Sequence, residues 1–278
     1  MSNYAFRTLK SLGLSESLSY SIIPKLKLSS LDSDQKVWIK GETVDEWKYI
    51  MTGTVALTVP SNIGETSIID IRSENSWIGE ELMLTRNFAP FECVCITACE
   101  FLTISRELFI HLMKTEILFS NIIANMIALR AAREQEAYML LRLGSPCLRV
   151  VQGLALVVED LISSNFERTS TQIASIPAKQ SILASLCGVS RAVMSQHLQI
   201  LQVNGWLSIE YGYTKFSKIG AWKEFIDNRR KGRMFSMDPC MKDMLGELEK
   251  ANNATKEVTS ENLTNIKSKN RKLKYRTI

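Results

Sequence analysis

Between about Val37 and Ile104 the chain reads as short apolar-rich runs, VWIKG, WKYIMTGTVALTV, TSIIDIR, WIGEE and FECVCITACEFLTIS. Gly41, Gly53, Pro60 with Asn62 and Gly64, Asn75, and the stretch from Asn87 to Pro90 separate them, all residues that tolerate turn geometry. Strands recurring every ten residues or so predict an antiparallel roll or barrel. From Arg106 to about Leu143 the pattern changes: Gly and Pro are absent and apolar side chains recur at three and four, which predicts helix. Within it Ile122, Met126, Leu129, Arg133, Glu136, Leu140 and Leu143 step alternately by four and three. Such a seam suits either a two-stranded coiled coil between subunits or packing on the chain's own domain. Gly144 and Pro146 then break the helix, Leu148 to Ile162 predicts another, and polar Ser163 to Ser175 a loop or short hairpin.

The segment from Pro177 to Ser217 carries the most chemistry. Gln180 to Cys187 predicts a short helix, Gly188-Val189-Ser190 a tight turn, and Arg191 to Val203 a second helix with Val193, Met194, Leu198 and Leu201 inward. Ser190 stands where an N-cap belongs. The opposite face offers Arg191, Ser195, Gln196 and Gln199, groups that can reach base edges and phosphates. Asn204-Gly205 stops this helix, and WLSIE-YGY-TKFS reads as a hairpin with Lys215 near its tip. Helix, turn, polar-faced helix and hairpin together define a winged helix-turn-helix. The candidate DNA-binding residues are Gln180, Ser190, Arg191, Ser195, Gln196, Gln199 and Lys215.

Composition narrows the alternatives. The 278 residues are 45% hydrophobic, enough for about two cored domains. No apolar run reaches the roughly 18 to 20 residues of a bilayer span and the N-terminal residues lack a secretion-signal pattern, so a cytoplasmic protein is expected. Six cysteines without a CxxC argue against a disulfide scaffold or structural zinc, and two histidines leave little for metal centres or His-dependent catalysis; no metal and no cofactor is expected. Cys93, Cys95 and Cys99 share one parity along the expected strand and are either small core residues or a redox or metal group. The absence of a Walker loop, nucleophile elbow, HExxH or paired carboxylates argues against an enzyme. The net charge is +5, but residues 229–278 alone hold 13 Lys/Arg against 6 Asp/Glu. That tail would add phosphate contacts or serve as a solvated segment.

From about Lys36 to Ser217 the sequence resembles the cyclic-AMP receptor protein and fumarate-nitrate regulator (Crp/Fnr) family of transcription factors. The resemblance rests on KYIMTGTVALTV, WIGEE, ITACEFLTIS before the long helix, and LCGVSRAVMSQHLQIL. It implies an α+β fold: an N-terminal cyclic-nucleotide-binding-like β-roll, a long dimerisation helix, and a C-terminal DNA-binding domain that grips a palindromic site as a homodimer. The departures are as informative. Ala89 and Pro90 stand where cyclic-AMP-responsive members carry an Arg-Ser pair, and Arg133 and Glu134 where a Thr-Ser pair meets the purine. Glu80, which in the family meets the ribose, is kept. No cysteine precedes Cys93 to build the family's iron-sulfur cluster, and histidines for haem are scarce. In the recognition helix Arg191 is kept, while Ala192 and Gln196 replace the family's Glu and second Arg, so the target site should differ from the usual one.

The organisation expected is an N-terminal segment 1–35, a sensor-like roll 36–108, a dimerisation helix 109–144, a winged helix-turn-helix 145–225 and a basic extension 226–278 in which Met234 to Lys250 forms one amphipathic helix. The function expected is that of a transcription regulator on double-stranded DNA, an activator through RNA polymerase. The alternative is a small-molecule or redox-sensing module whose helix-turn-helix is degenerate.

Overall fold

The computed structural model describes residues 2–60, 66–85, 87–143, 145–164, 174–177, 179–210, 212–230 and 246. Two short helices, α1 (Ser2–Ser11) and α2 (Glu16–Ile22), lead through a 3₁₀ turn into β1 (Lys27–Leu31). There follow β2 (Lys36–Trp38), β3 (Glu46–Thr52), β4 (Thr54–Pro60), β5 (Thr66–Ser73), β6 (Ser76–Ile78), α3 (Glu80–Thr85), β7 (Glu92–Cys95) and β8 (Cys99–Ser105). They form two antiparallel four-stranded sheets, ordered β1-β8-β3-β6 and β2-β7-β4-β5.

The two sheets share one core. Period-two alternation sends Trp47, Trp77, Phe101, Cys93 and Cys95 inward, where Trp47 and Trp77 stack. Gly53 joins β3 to β4 at φ +92°, and a Cβ there would come within 2.3 Å of the Ala98 carbonyl oxygen, so only glycine fits that turn.

The long helical region is two helices rather than one: α4 (Arg106–Thr115) and α5 (Ile117–Leu143) meet at a bend of 112°. Glu116 between them is extended (φ −114°, ψ 98°), and the Ser120 hydroxyl donates to the Met113 carbonyl at 2.6 Å, satisfying a group the bend frees. Phe109, Leu112, Phe119 and Ile123 fill the roll's core from both sides of the bend. No single helix among the described residues is long and apolar enough to cross a membrane.

The expected seam on α5 is only partly free for a second subunit. Ile122 and Met126 pack against the roll's core and Arg133 turns toward the next helix, while Leu129 is exposed. The exposed stripe lies about a quarter turn away: Leu118, Asn121, Asn125, Ala128, Ala132, Gln135 and Met139, all uncharged and again spaced three and four. The side chains of Leu140 and Leu143 lie outside the described residues.

A second core is built by α6 (Pro146–Ser164), β9 (Ala174–Ile176), α7 (Gln180–Leu186), α8 (Arg191–Val203), β10 (Leu207–Glu210), β11 (Tyr213–Phe216) and α9 (Ile219–Arg230). The three strands form an antiparallel sheet ordered β10-β11-β9. Gly153 in α6 permits close approach, since a Cβ there would meet the buried Cys187 sulfur at 2.4 Å.

Two expected boundaries shift. The roll begins before residue 36, because β1 pairs along its length with β8. The C-terminal unit runs past residue 225, because Trp222, Phe225 and Ile226 of α9 are buried in its core. The helix expected over Met234 to Lys250 lies outside the described residues except for Gly246.

Candidate nucleic-acid interface

Helix α8 is held at both ends. At its start Ser190 is extended (φ −68°, ψ 156°) and its hydroxyl accepts from the Val193 backbone N–H at 3.3 Å, the N-cap the sequence predicts. The turn before it uses Gly188 at φ +59°, and its carbonyl accepts from the Arg149 guanidinium of α6 at 2.8 Å. At the far end Gly205 takes φ +68°, Trp206 N–H returns to the Leu201 carbonyl, and Lys218 Nζ donates to the Asn204 carbonyl at 2.9 Å while lying over the Trp206 ring.

Between these ends the helix divides by face. Met194, His197, Leu198 and Leu201 are buried; Val193 is half-buried rather than fully inward. Arg191 and Gln199 are exposed, and Ser195 and Gln196 are half-buried. Gln180 is half-buried at the first position of α7. Lys215 lies on β11 opposite Ser208, just beyond the hairpin turn, and its ammonium is ion-paired with Glu210 at 2.6 Å. The structure thus gathers Arg191, Ser195, Gln196 and Gln199 on one helix with Ser190 at its cap, and sets Gln180 and Lys215 on flanking elements.

His197, Arg149 and Lys218 were not singled out by the sequence. His197 is fully buried; Nδ1 lies 2.7 Å from the Val193 carbonyl and so carries the proton, while Nε2 meets no partner. Burial lowers its pKa. The period of α8 places residue 197 inward with 194 and 201, which is the one signal that could have found it.

The resemblance places the contacts of a cyclic nucleotide at Glu80, Ala89, Pro90, Arg133 and Glu134. Glu80 is buried at the start of α3; its carboxylate accepts from the Trp47 indole N–H at 3.4 Å and from the Arg130 guanidinium of α5. Arg130 also donates to the Trp77 carbonyl. Burial, with Arg72 nearby, pushes the Arg130 pKa down, yet a guanidinium on a carboxylate remains charged. Ala89 is buried and Pro90 has no donor, while Arg133 is committed to Asp160 at 2.6 Å. The side chains of Ala89 and Pro90 can neither donate to nor neutralise a phosphate, so these residues do not fit a cyclic nucleotide.

The three clustered cysteines lie on two strands, not one. Cys93 and Cys95 end β7 and Cys99 opens β8, all buried and reduced. Burial pushes the Cys93 thiol up. The neighbouring Cys99, with burial, raises the Cys95 thiol, and the Cys99 thiol donates to the Thr97 carbonyl at 3.3 Å and the Thr54 carbonyl at 3.5 Å. Among the described residues no cluster of His, Cys, Asp and Glu has the form of a metal site.

The β-roll, the long helix and the C-terminal helical unit form a fold that comparison with known proteins also finds. The family model for the cyclic nucleotide-binding domain matches residues 28–116. Among solved structures, FixK2 from Bradyrhizobium japonicum is 12% identical with a TM-score of 0.61, covering 72% of this chain and 96% of its own. CLP, a c-di-GMP responsive global regulator from Xanthomonas campestris, is 17% identical with a TM-score of 0.55, covering 73% and 99%. A CRP/FNR-family transcriptional regulator from Thermus thermophilus is 14% identical with a TM-score of 0.54, covering 73% and 100%. No curated protein sequence matches the chain significantly.

Proposed function

We propose that this protein is a sequence-specific DNA-binding transcription regulator of the Crp/Fnr type, not an enzyme. The observation that carries the reading is α8, capped by Ser190, braced by Arg149 and Lys218, and presenting Arg191 and Gln199 outward. In this reading α7 and α8 are a helix-turn-helix and β10–β11 its wing. Arg191 contacts guanine or phosphate, Gln196 and Gln199 reach base edges, Ser190 and Ser195 touch the backbone, Gln180 meets a phosphate from the first helix, and Lys215 does so from the wing.

The regulator acts as a homodimer through the uncharged stripe of α5, Leu118 to Met139, and so binds a palindrome. Its alanines allow close helix approach and its asparagines at core positions set register. Cyclic nucleotide has no role, because the Ala89 and Pro90 side chains offer its phosphate no donor and no charge. Activation through contact with RNA polymerase is the regulatory mode proposed. Footprinting on a genomic fragment bound by the purified protein tests the assignment: a protected two-fold symmetric site is expected, and uniform protection independent of sequence contradicts it.

A further inference from the structure

The C-terminal unit is tied to the roll across two separate contacts. On one side, Asp160 of α6 is reached from two elements: Arg72 of β5 at 3.3 Å and Arg133 of α5 at 2.6 Å. Arg72 also pairs with Asp70 at 2.5 Å, and Arg133 donates to the Leu156 carbonyl at 3.2 Å. Arg72 is nearly fully buried, and Asp70 and Asp160 outweigh its burial and raise its pKa. On the other side, the Ser185 hydroxyl of α7 accepts from the Ile68 backbone N–H of β5 at 2.8 Å. Ile71 of β5 is buried within the C-terminal core, with Ile68 and Ile96 against it, so apolar packing is continuous across the junction.

This contact leaves α8 free. α7 and α6 meet β5, whereas Arg191, Ala192, Gln199 and Gln202 of α8 stay exposed. A dimer that reads two half-sites needs its two recognition helices held at one separation, because each loose domain must be ordered when the second half-site is engaged.

We propose that Arg72 is a positioning residue for DNA recognition: by pairing with Asp160 it locks α6 onto β5, beside the Ser185 contact that ties α7 there, and so fixes where α8 stands relative to the dimer axis. The lock is made of the chain's own charges, so it is set without an effector. This inference rests on the DNA-binding reading above, and its test has one arm that does not.

In the first arm, amide hydrogen exchange is followed on the full chain without DNA. Arg72→Met and, separately, Ser185→Ala should speed exchange at least tenfold in β5 and α7 while leaving β3 and β8 unchanged. In the second, affinities are measured for a duplex carrying a palindrome selected from random DNA and for the same duplex with one half-site scrambled. Arg72→Met should weaken the palindrome at least tenfold and the single half-site less than twofold, and Arg72→Lys, which keeps a charge on Asp160, should recover most of the loss. Equal loss on both duplexes, or no recovery by lysine, would make Arg72 merely structural and overturn the proposal. So would unchanged exchange in both variants. If the unaltered protein selects no sequence, the regulator reading fails, and the exchange arm still decides whether Arg72 and Ser185 hold the junction. Should Arg72→Met fail to fold, Asp160→Asn, which keeps the volume, takes its place with the same expectations.

Discussion

Arg191 stands exposed in the first turn of α8, where a side chain can reach a base edge, and Gln196 lies half-buried five residues on. If each makes a bidentate base contact, Arg191→Ala and Gln196→Ala will each lose about 1 to 3 kcal/mol on the specific site. Equal loss on random DNA, measured by competition, would make Arg191 a phosphate contact instead. His197 gives a pH prediction. Its folded pKa lies below the ordinary value of about 6.5, so the folded state binds fewer protons below that pH. The stability it contributes is therefore present above pH ~6.5 and is lost as pH falls through its folded pKa. Chemical denaturation from pH 7.5 to 5 should show that decline, and His197→Gln should flatten it; an equal decline in the variant would place the titrating group elsewhere. At this scale the sequence was most legible where local rules decide. Ser190 as cap and Gly188 and Gly205 as left-handed residues follow from chemistry within a few positions. Arg149 bracing Gly188 across 39 residues, or Arg130 reaching Glu80 across 50, leaves no local mark.

At the scale of elements, periodicity located most strands of the roll and α8 but did not show which face of α5 is exposed. The bend at Glu116 carries no Gly or Pro, so the pattern ran through it. Both stripes of α5 alternate by three and four, and only the roll decides which one is covered. β1 and α9 went unread because KLSSL is a mostly exposed edge strand and because the apolar positions Trp222, Phe225 and Ile226 are too few to show a period. Two outcomes follow from the packing. Leu118 and Met139 are 64% and 54% exposed, so Leu118→Glu with Met139→Glu should leave the fold intact and convert the protein to monomers in sedimentation; persistent dimers would move the interface off that stripe. Gly153→Ala drives a methyl into the Cys187 sulfur and should destabilise the C-terminal unit by about 1 to 3 kcal/mol in denaturant unfolding, with unchanged stability showing that α6 can shift.

For the whole molecule, two cores are joined at β5, where Ile71 packs into the C-terminal core and Arg72 pairs with Asp160. Calorimetry with cyclic AMP should give no heat of binding, because Ala89 and Pro90 leave its phosphate without a cation or side-chain donor; micromolar affinity would mean that another group supplies the charge. The basic residues after Arg230 belong to whole-molecule electrostatics: removing them should weaken binding to all DNA alike and flatten its salt dependence, while an unchanged slope would leave them a solvated tail. The most direct test of the central claim is selection of bound sequences from a random duplex pool by the purified full-length protein, with Arg191→Ala run in parallel. One enriched two-fold symmetric motif is expected, its half-site centres about 10 base pairs apart, that the variant no longer selects. A folded, dimeric protein that enriches no motif, or a motif equally enriched by Arg191→Ala, would contradict it.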